Sequence, residues 1–408
     1  MSKQRYFFLI LILGTLSALG PFSIDMYLPG FPAIAQDLHT DVAQVSLSLS
    51  SFFVGVSAGQ LLYGPLLDRF GRKKPLYIGL LLYVLASVGC YAAHSIDSLI
   101  ALRFVQALGS CAATVASVAM VRDLFPVKDS AKVFALLSLV ISVSPMLAPT
   151  VGGYMVAAFG WQSVFLVLFG MGFLMLLAAF FWLPESYPAD PTYSLHPKPI
   201  LTNFWTVLRN PQFFTYAFTG AMTFGGLLAY VSGSPLVFMD IFGVSGQHYG
   251  WIFALLSVGF IGSSQVNSWV LRYYRSEQIV LVAMVCQSVI GLVFLLGTTL
   301  GWFGVEATVG MLFLFLCCLG FANPNAAALS IAPFAKNAGS AAALMGATQM
   351  AVGALASLGV SLFNTHTAVP MVAIMAASAL LALLIQVVGR RIMGQPVAVA
   401  EDAAVLVH

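Results

Sequence analysis

Charge is what this sequence has least of. Only 8% of its 408 residues are Asp, Glu, Lys or Arg, against about 25% in an ordinary soluble domain. With 60% hydrophobic residues, a chain of this length cannot cover its surface with polar groups, which excludes a large soluble core. Other absences exclude chemistry. There is no GxxxxGK[ST] string, no Lys is followed by Ser or Thr, and no loop has room for an ATP-binding domain. No HExxH or Cys/His ligand spacing occurs, so neither a metal nor a cofactor is expected, and nothing points to an enzyme. Cys90, Cys111, Cys286, Cys317 and Cys318 all lie inside apolar runs without a CxxC, and read as small packing residues. The net charge of +3 suits loops facing anionic lipid and does not imply nucleic acid.

What is present is apolar length. A span needs about 20 apolar residues to cross a hydrocarbon core of roughly 30 Å. Such runs lie at 6–30, 43–66, 75–94, 98–121, 132–158 and 162–183, then at 211–239, 248–271, 277–299, 304–328, 338–363 and 367–388. Lipid offers no partner to free backbone groups, so each run is expected to be helical. The fold class is therefore all-α integral membrane protein with twelve transmembrane helices. The run after "SKQR" is too long for a signal peptide, and "DMYLPGFP" is no small-residue cleavage site.

The basic residues orient the spans. Lys3 and Arg5 precede the first; Arg69, Arg72, Lys73 and Lys74 follow the second; Arg122, Lys128 and Lys132 follow the fourth. Lys198 and Arg209, Arg272 and Arg275, Lys336, and Arg390 and Arg391 follow the sixth, eighth, tenth and twelfth. The opposite loops hold Asp37, Asp41, Asp97 and Asp240 and no Lys or Arg. The positive-inside rule then puts both termini in the cytoplasm. "LPESYPADPTYSLHPKPI", with five prolines, interrupts the hydrophobic pattern. It divides an N-terminal bundle (1–183) from a C-terminal bundle (211–390) by a cytoplasmic linker (184–210), with a tail at 391–408. Arg69 and Arg72 recur in spacing as Arg272 and Arg275, and "KDSAKVFALL" resembles "KNAGSAAALM". Two similar six-helix halves suggest a transporter that rocks about a central cavity.

Two charges fall inside the spans of the first half. Asp25 lies about five residues before the outer end of span 1, and Arg103 about five residues after the outer start of span 4. Matched depth suggests an ion pair, or two groups facing one wet cavity. Arg103 keeps its proton at any biological pH. Asp25 can change its charge, with burial favouring the neutral form and a nearby guanidinium the charged one. The residues alone leave two readings open: a proton-coupling site, or an Asp25 that merely pairs with Arg103 or caps the bend before Pro29. Gln106 lies one turn from Arg103 and shares its face. Asn323, Asn325 and Gln349 either line a cavity or bond a neighbouring helix. Tyr27, Phe224 and Tyr230 either offer aromatic contact to a ligand or pack. No acidic residue lies deep in the second half, so coupling belongs to the first.

"GQLLYGPLLDRFGRKKP" packs one acid and several bases into a tight turn between spans 2 and 3. Gly71 permits a positive φ, Gly64 permits close helix approach, and Asp68 is placed to cap or pair with a neighbouring helix end. The string, with Gly64, Asp68, Arg69, Gly71 and Arg72, resembles motif A of the major facilitator superfamily. "LIALRFVQALG" resembles motif B. "SVSPMLAPTVGG" resembles the antiporter motif C, with Ser144-Pro145 in place of its usual Gly-Pro; Pro145 and Pro149 bend the helix, and Gly152 and Gly153 admit a partner helix from the other half. "IDMYLPGFPAI", "VRDLF" and "GFANPNAAALSIAPF" are similar to the Bcr/CflA group of bacterial drug/proton antiporters.

The resemblance spans essentially the whole chain. It implies two pseudo-symmetric six-helix bundles in a bacterial inner membrane, a monomer, and efflux of small hydrophobic or amphipathic drugs in exchange for protons. It favours coupling at Asp25 with Arg103, while Tyr27, Gln106, Phe224, Tyr230, Asn323 and Gln349 stand as the candidate substrate contacts from the residues themselves. A proton-coupled uptake carrier is the alternative on the same fold, and "PMLAPTVGG" argues against it. A non-transporting sensor would need neither motif A nor the intramembrane charges.

Overall fold

The computed structural model describes residues 3–190, 195–334, 338–363 and 366–393, with the backbone alone at 3–5, 127–132 and 135. Lys336 and the tail from 394 onward lie outside the described residues. Among the described residues there is no strand, and twelve helical segments are long and apolar enough to cross a bilayer. The number and order are those the apolar runs predict.

The first span departs from its predicted limits. α1 (Lys3–Asp25) stops, a 3-10 turn follows at Leu28–Gly30, and α2 (Phe31–Asp37) resumes the course, so the segment runs on to Asp37. Pro29 has no N–H to give the carbonyl four residues back, that of Asp25, so the α-helix cannot continue through it. Its fixed φ still suits the start of a new helical turn. Then come α3 (Val42–Phe70), α4 (Lys73–Tyr91), α5 (Ile96–Leu124), α6 (Val127–Phe159) and α7 (Gln162–Phe181). The linker contains a helix the sequence reading left out, α8 (Pro197–Leu208), which opens on a proline and buries Val207. α9 (Pro211–Pro235) continues as a π-helical segment, Leu236–Ile241. α10 (Gly246–Val270), α11 (Ser276–Thr299), α12 (Val305–Ile331), α13 (Ala338–Leu362) and α14 (Val369–Ile392) complete the chain.

By its contacts the chain divides into two compact units, residues 1–197 with 245–254, and residues 198–244 with 255–408. In the first, α5 packs against α1, α3 and α4. It does so through small residues, as helices must when lipid leaves no hydrophobic gain in their association. A Cβ on Gly55 would stand 2.7 Å from Ala107, and one on Gly59 2.7 Å from Cys111. A Cβ on Gly79 would overlap Ala112, and one on Gly109 would lie 2.6 Å from the Gly79 carbonyl. Gly64 is different: nothing lies within 4 Å of where its Cβ would be. The expected close approach at Gly64 is absent, and the glycines that make it, Gly59 and Gly55, lie five and nine residues earlier in α3.

In the second unit α9 is the centre, packed against α12, α13 and α14. Gly225 meets Val352 and Gly226 meets the ring of Phe315, while Gly353 of α13 meets Leu228 and Gly389 of α14 meets Thr215.

These contacts set an expectation for stability. Gly109→Leu should lower the thermal midpoint in detergent, by the equivalent of about 1–3 kcal/mol or by outright loss of folded protein, because its Cβ meets backbone. Gly64→Leu should leave the midpoint unchanged. Fluorescence-detected size exclusion after heating measures both.

Candidate functional site

Asp25 is the last residue of α1 and is 5% exposed. The span continues twelve residues beyond it, to Asp37, whereas Arg103 lies seven residues beyond the start of α5 at Ile96. Arg103 nonetheless reaches the Ser23 carbonyl of α1 and the Tyr27 ring just after it, on either side of Asp25, so the two lie at a similar level, but their side chains do not pair. Among the described residues no hydrogen bond or ion pair reaches the Asp25 carboxyl. Arg103 approaches α1 on the side of Ser23, whose hydroxyl bonds Tyr83 of α4 at 2.8 Å. Two residues further along, a side chain projects about 200° around the helix, so Asp25 faces away from the arginine.

Arg103 is 0% exposed. Its Nη2 donates to the Ser23 carbonyl at 2.8 Å and its Nη1 to Gln106 Oε1 at 2.6 Å. Gln106 Nε2 donates to Ser87 Oγ at 2.8 Å, and Ser87 Oγ donates to the Tyr83 carbonyl at 2.7 Å. With the Tyr83–Ser23 bond, the chain of contacts closes on itself through α1, α4 and α5. The guanidinium lies 4.3 Å from the ring centroids of both Tyr27 and Phe52, and 6.0 Å from that of Phe165. A desolvated cation over aromatic faces gains about 2 kcal/mol or more from each good contact. Arg103 is therefore balanced by dipoles and ring faces and needs no carboxylate. Arg103 Nε has no hydrogen-bond partner.

Two predicted substrate contacts belong to this cluster instead. Gln106 is 0% exposed and Tyr27 is 1% exposed. Tyr27 places its ring on Arg103 and hydrogen bonds Ser48 through its hydroxyl. Side chains so enclosed hold Arg103 and are closed to solvent.

The antiporter-like segment sits against the break in the first helix. A Cβ on Gly152 would overlap the Met26 carbonyl, the residue after Asp25. Its close neighbour is thus in the same bundle, where a helix of the other half was expected. Gly153 does meet α10, whose first turns belong to the first unit: its Cβ would lie 2.5 Å from the Gly246 carbonyl. A Cβ on Gly250 would lie 2.7 Å from Thr150 Cα, and one on Gly246 3.5 Å from Pro29. Pro145 and Pro149 lie inside α6, so two backbone hydrogen bonds are missing where it passes the Asp25 break.

The turn between α3 and α4 is a network of charges. Gly71 has φ +81°, a conformation that strains other residues. Arg72 donates to Asp68 at 2.8 Å and to Asp123, near the end of α5, at 2.8 Å. Burial works against the Arg72 charge, but the bonds to Asp123 and Asp68 outweigh it and push its pKa above the ordinary value. Glu185 of the linker accepts from the backbone N–H groups of Arg72 at 2.7 Å and Lys73 at 3.2 Å. Tyr187 covers the Arg72 guanidinium at 4.5 Å, and Arg69 Nη1 donates to the Asp190 carbonyl at 3.4 Å. The sequence reading found Asp68, Arg69, Gly71 and Arg72. It missed Asp123, Glu185 and Tyr187, although "VRDLF" and "LPESY" carried them.

In the second unit, Gln349 Nε2 of α13 donates to Asn323 Oδ1 of α12 at 3.3 Å. Both are half-buried, and both approach Gly220 of α9, at 3.6 and 3.9 Å from where its Cβ would be. Phe224, half-buried, is one turn from Gly220 on the same helix face. These four form a polar and aromatic patch with no charge. Tyr230 is 2% exposed, too enclosed to offer a face to that patch from solvent. Asn325 is buried on Asn267, to which its Nδ2 donates at 2.7 Å, so it serves helix packing.

Comparison with known proteins places this geometry. The family model for the Major Facilitator Superfamily matches residues 12–357. An uncharacterized MFS-type transporter of Bacillus subtilis (strain 168), YdgK, is 35% identical over 375 residues, 91% of this chain and 93% of that one. A bicyclomycin resistance protein homolog of Haemophilus influenzae is 33% identical over 385 residues, 94% and 96% of the two chains. The multidrug resistance protein MdtL of Escherichia coli O45:K1 is 31% identical over 389 residues, 94% and 95%. Among solved structures, a D-xylose-proton symporter superposes with a TM-score of 0.75 at 13% identity, covering 94% of this chain and 97% of its own. A likeness at that identity shows the fold alone.

Arg103→Lys should lower the unfolding midpoint in detergent, because one ammonium cannot serve the Ser23 carbonyl, Gln106 and two ring faces together. The expected loss is about 1.5–3 kcal/mol, that of a hydrogen bond to a charged group. Asp25→Asn, which breaks no contact, should leave the midpoint in place. A double-mutant cycle on Arg72→Ala and Asp123→Ala, read by the same unfolding, should give a coupling of roughly 1–3 kcal/mol.

Proposed function

This chain belongs to the Major Facilitator Superfamily, and we propose that it exports small hydrophobic or amphipathic drugs in exchange for protons by alternating access. It is a multi-pass bacterial membrane transporter and not an enzyme. Of the three relatives named above, two carry names of drug resistance, which supports export of drugs. Placement in the inner membrane with both termini in the cytoplasm follows from the basic loops, and the monomer is the working unit.

The observation that carries proton coupling is Asp25 itself. A carboxyl buried at the broken end of a helix, with no described partner, is costly to keep charged. Any rearrangement at the Met26–Gly30 break changes its access to water, and so the ease of giving up a proton. α6 rests on that break through Gly152, next to Pro149 and Gly153. Arg103 contributes as a fixed cation that holds the Ser23 turn of α1 against α4 and α5. Substrate recognition by the second unit falls to Gln349, Asn323 and Phe224, with hydrogen bonds and a ring face. The antiporter-like segment favours exchange over a proton-coupled uptake carrier of the same fold.

The test is drug flux in proteoliposomes under an imposed pH gradient, with a chloramphenicol-like and a cationic compound. Wild type should move drug when the gradient is applied. Asp25→Asn should bind drug with unchanged affinity and lose the gradient-driven component. Normal gradient-driven transport by Asp25→Asn would remove Asp25 from the coupling step.

A further inference from the structure

A groove runs between α9 and α14 at the end of the second unit where its basic residues gather. It encloses about 500 Å³ and is lined by Phe214, Leu384, Val388 and Ile392, with Leu208 and Arg209 at its mouth. That volume lies within the range of small-molecule sites, about 300–1,000 Å³. Its floor is tight, because Gly389 has no Cβ: one there would overlap Thr215 of α9. The Thr215 hydroxyl donates to the Pro211 carbonyl at 2.8 Å and is not offered to the groove. The apolar lining is 45–70% exposed at Phe214, Leu384, Val388 and Ile392. A free anion would gain nothing from such walls, whereas an acyl chain fits them.

The mouth has the opposite character. Arg209 is exposed, has no ion pair among the described residues, and is held in place by the Trp205 ring, 5.0 Å from its guanidinium. Lys198, Arg272, Arg275 and Arg391 are exposed at the same end. The one acid described there, Glu277, is 3.7 Å from Arg390. Asn210 accepts the N–H groups of Gln212 and Phe213 at 3.0 and 3.1 Å, so the helix start is already capped and the uncommitted charge is that of Arg209. Trp205 and Leu201 of α8, 54% and 63% exposed, lie where an amphipathic helix meets headgroups.

We propose that this groove binds one anionic phospholipid, with an acyl chain between α9 and α14 and the phosphate on Arg209. The site is separate from Asp25, from the charge network of the α3–α4 turn and from the Gln349 patch. It makes retention of the lipid depend on headgroup charge and on apolar fit together.

The full-length protein, purified in a neutral detergent, would be titrated with phosphatidylglycerol, with phosphatidylcholine of the same chains, and with inorganic phosphate. Native mass spectrometry counts retained lipid, and the thermal midpoint reports its effect. One equivalent of phosphatidylglycerol should be retained and raise the midpoint, with phosphatidylcholine and phosphate doing neither. Arg209→Gln should weaken retention roughly fivefold, the weight of one basic side chain at an anionic surface. Val388→Trp, which fills the groove, should abolish it, and Arg272→Gln should leave it intact. Equal retention of phosphatidylcholine, a midpoint shift with phosphate alone, or unchanged retention in Arg209→Gln would each overturn the proposal. Arg209 is exposed, so its variant folds and decides the matter even if Val388→Trp does not.

Discussion

Helices inside a bilayer gain nothing by hiding apolar surface from one another, because lipid is as apolar as they are. What holds them is dispersion and hydrogen bonding at short range, and short range requires that side chains be absent. In the first unit this constraint falls on α5, whose Ala107, Gly109, Cys111 and Ala112 touch Gly55, Gly59 and Gly79 of its neighbours. Only because α5 lies so close to α1 and α4 can the Ser23 carbonyl and the Gln106–Ser87 bond reach one guanidinium. The sealed position of Arg103 is thus a product of glycine placement elsewhere. The break at Asp25 depends on it in turn, since Arg103 fixes the turn of α1 just before the helix ends.

The spans, their order and the charged turn were legible in the sequence because each has a periodic or local signature. The continuation of the first span beyond Asp25 to Asp37 was not. Pro29 reads as the end of a span, yet proline is also a good first residue of a helix, and here it serves as both stop and start. The partners of Arg103 were equally hidden. A carbonyl oxygen is carried by every residue, and two aromatic faces among many leave no pattern, so an aspartate at matched depth was the visible candidate. Gly64 illustrates the reverse error: it sits within a recognisable motif, while Gly55 and Gly79, which touch α5, sit outside it. Asn323 and Gln349 were legible as polar residues in apolar runs, but their meeting at Gly220 depends on three helices the sequence does not align.

The two halves share spacing without sharing environment. Arg69 and Arg72 are engaged by Asp190, Asp68 and Asp123, whereas Arg272 and Arg275 are exposed. The reason is local. Where the first copy has Asp68 and Gly71, the second has Leu271 and Tyr274, so it has neither the acid nor the left-handed turn. Only the first copy can fasten the segment Glu185–Asp190 onto its own bundle. The linker therefore begins as part of the first unit, and α8 joins the second through Val207 and the Asn203–Ser340 bond.

The sealed arginine also bears on how the chain is made. A guanidinium inside a lone helix costs up to about 2.5–3.5 kcal/mol to insert, and the two acids of α5, Asp97 and Asp123, lie toward its ends. Its partners on α1, α3 and α4, namely Ser23, Phe52 and Ser87 acting through Gln106, are all synthesised before it. Phe165 of α7, the most distant of the rings at 6.0 Å, comes later. The receiving site is thus complete when α5 leaves the ribosome, and the direction of translation becomes a condition of its insertion. A chain permuted to make α5 first would present the same arginine to lipid with nothing there to take it.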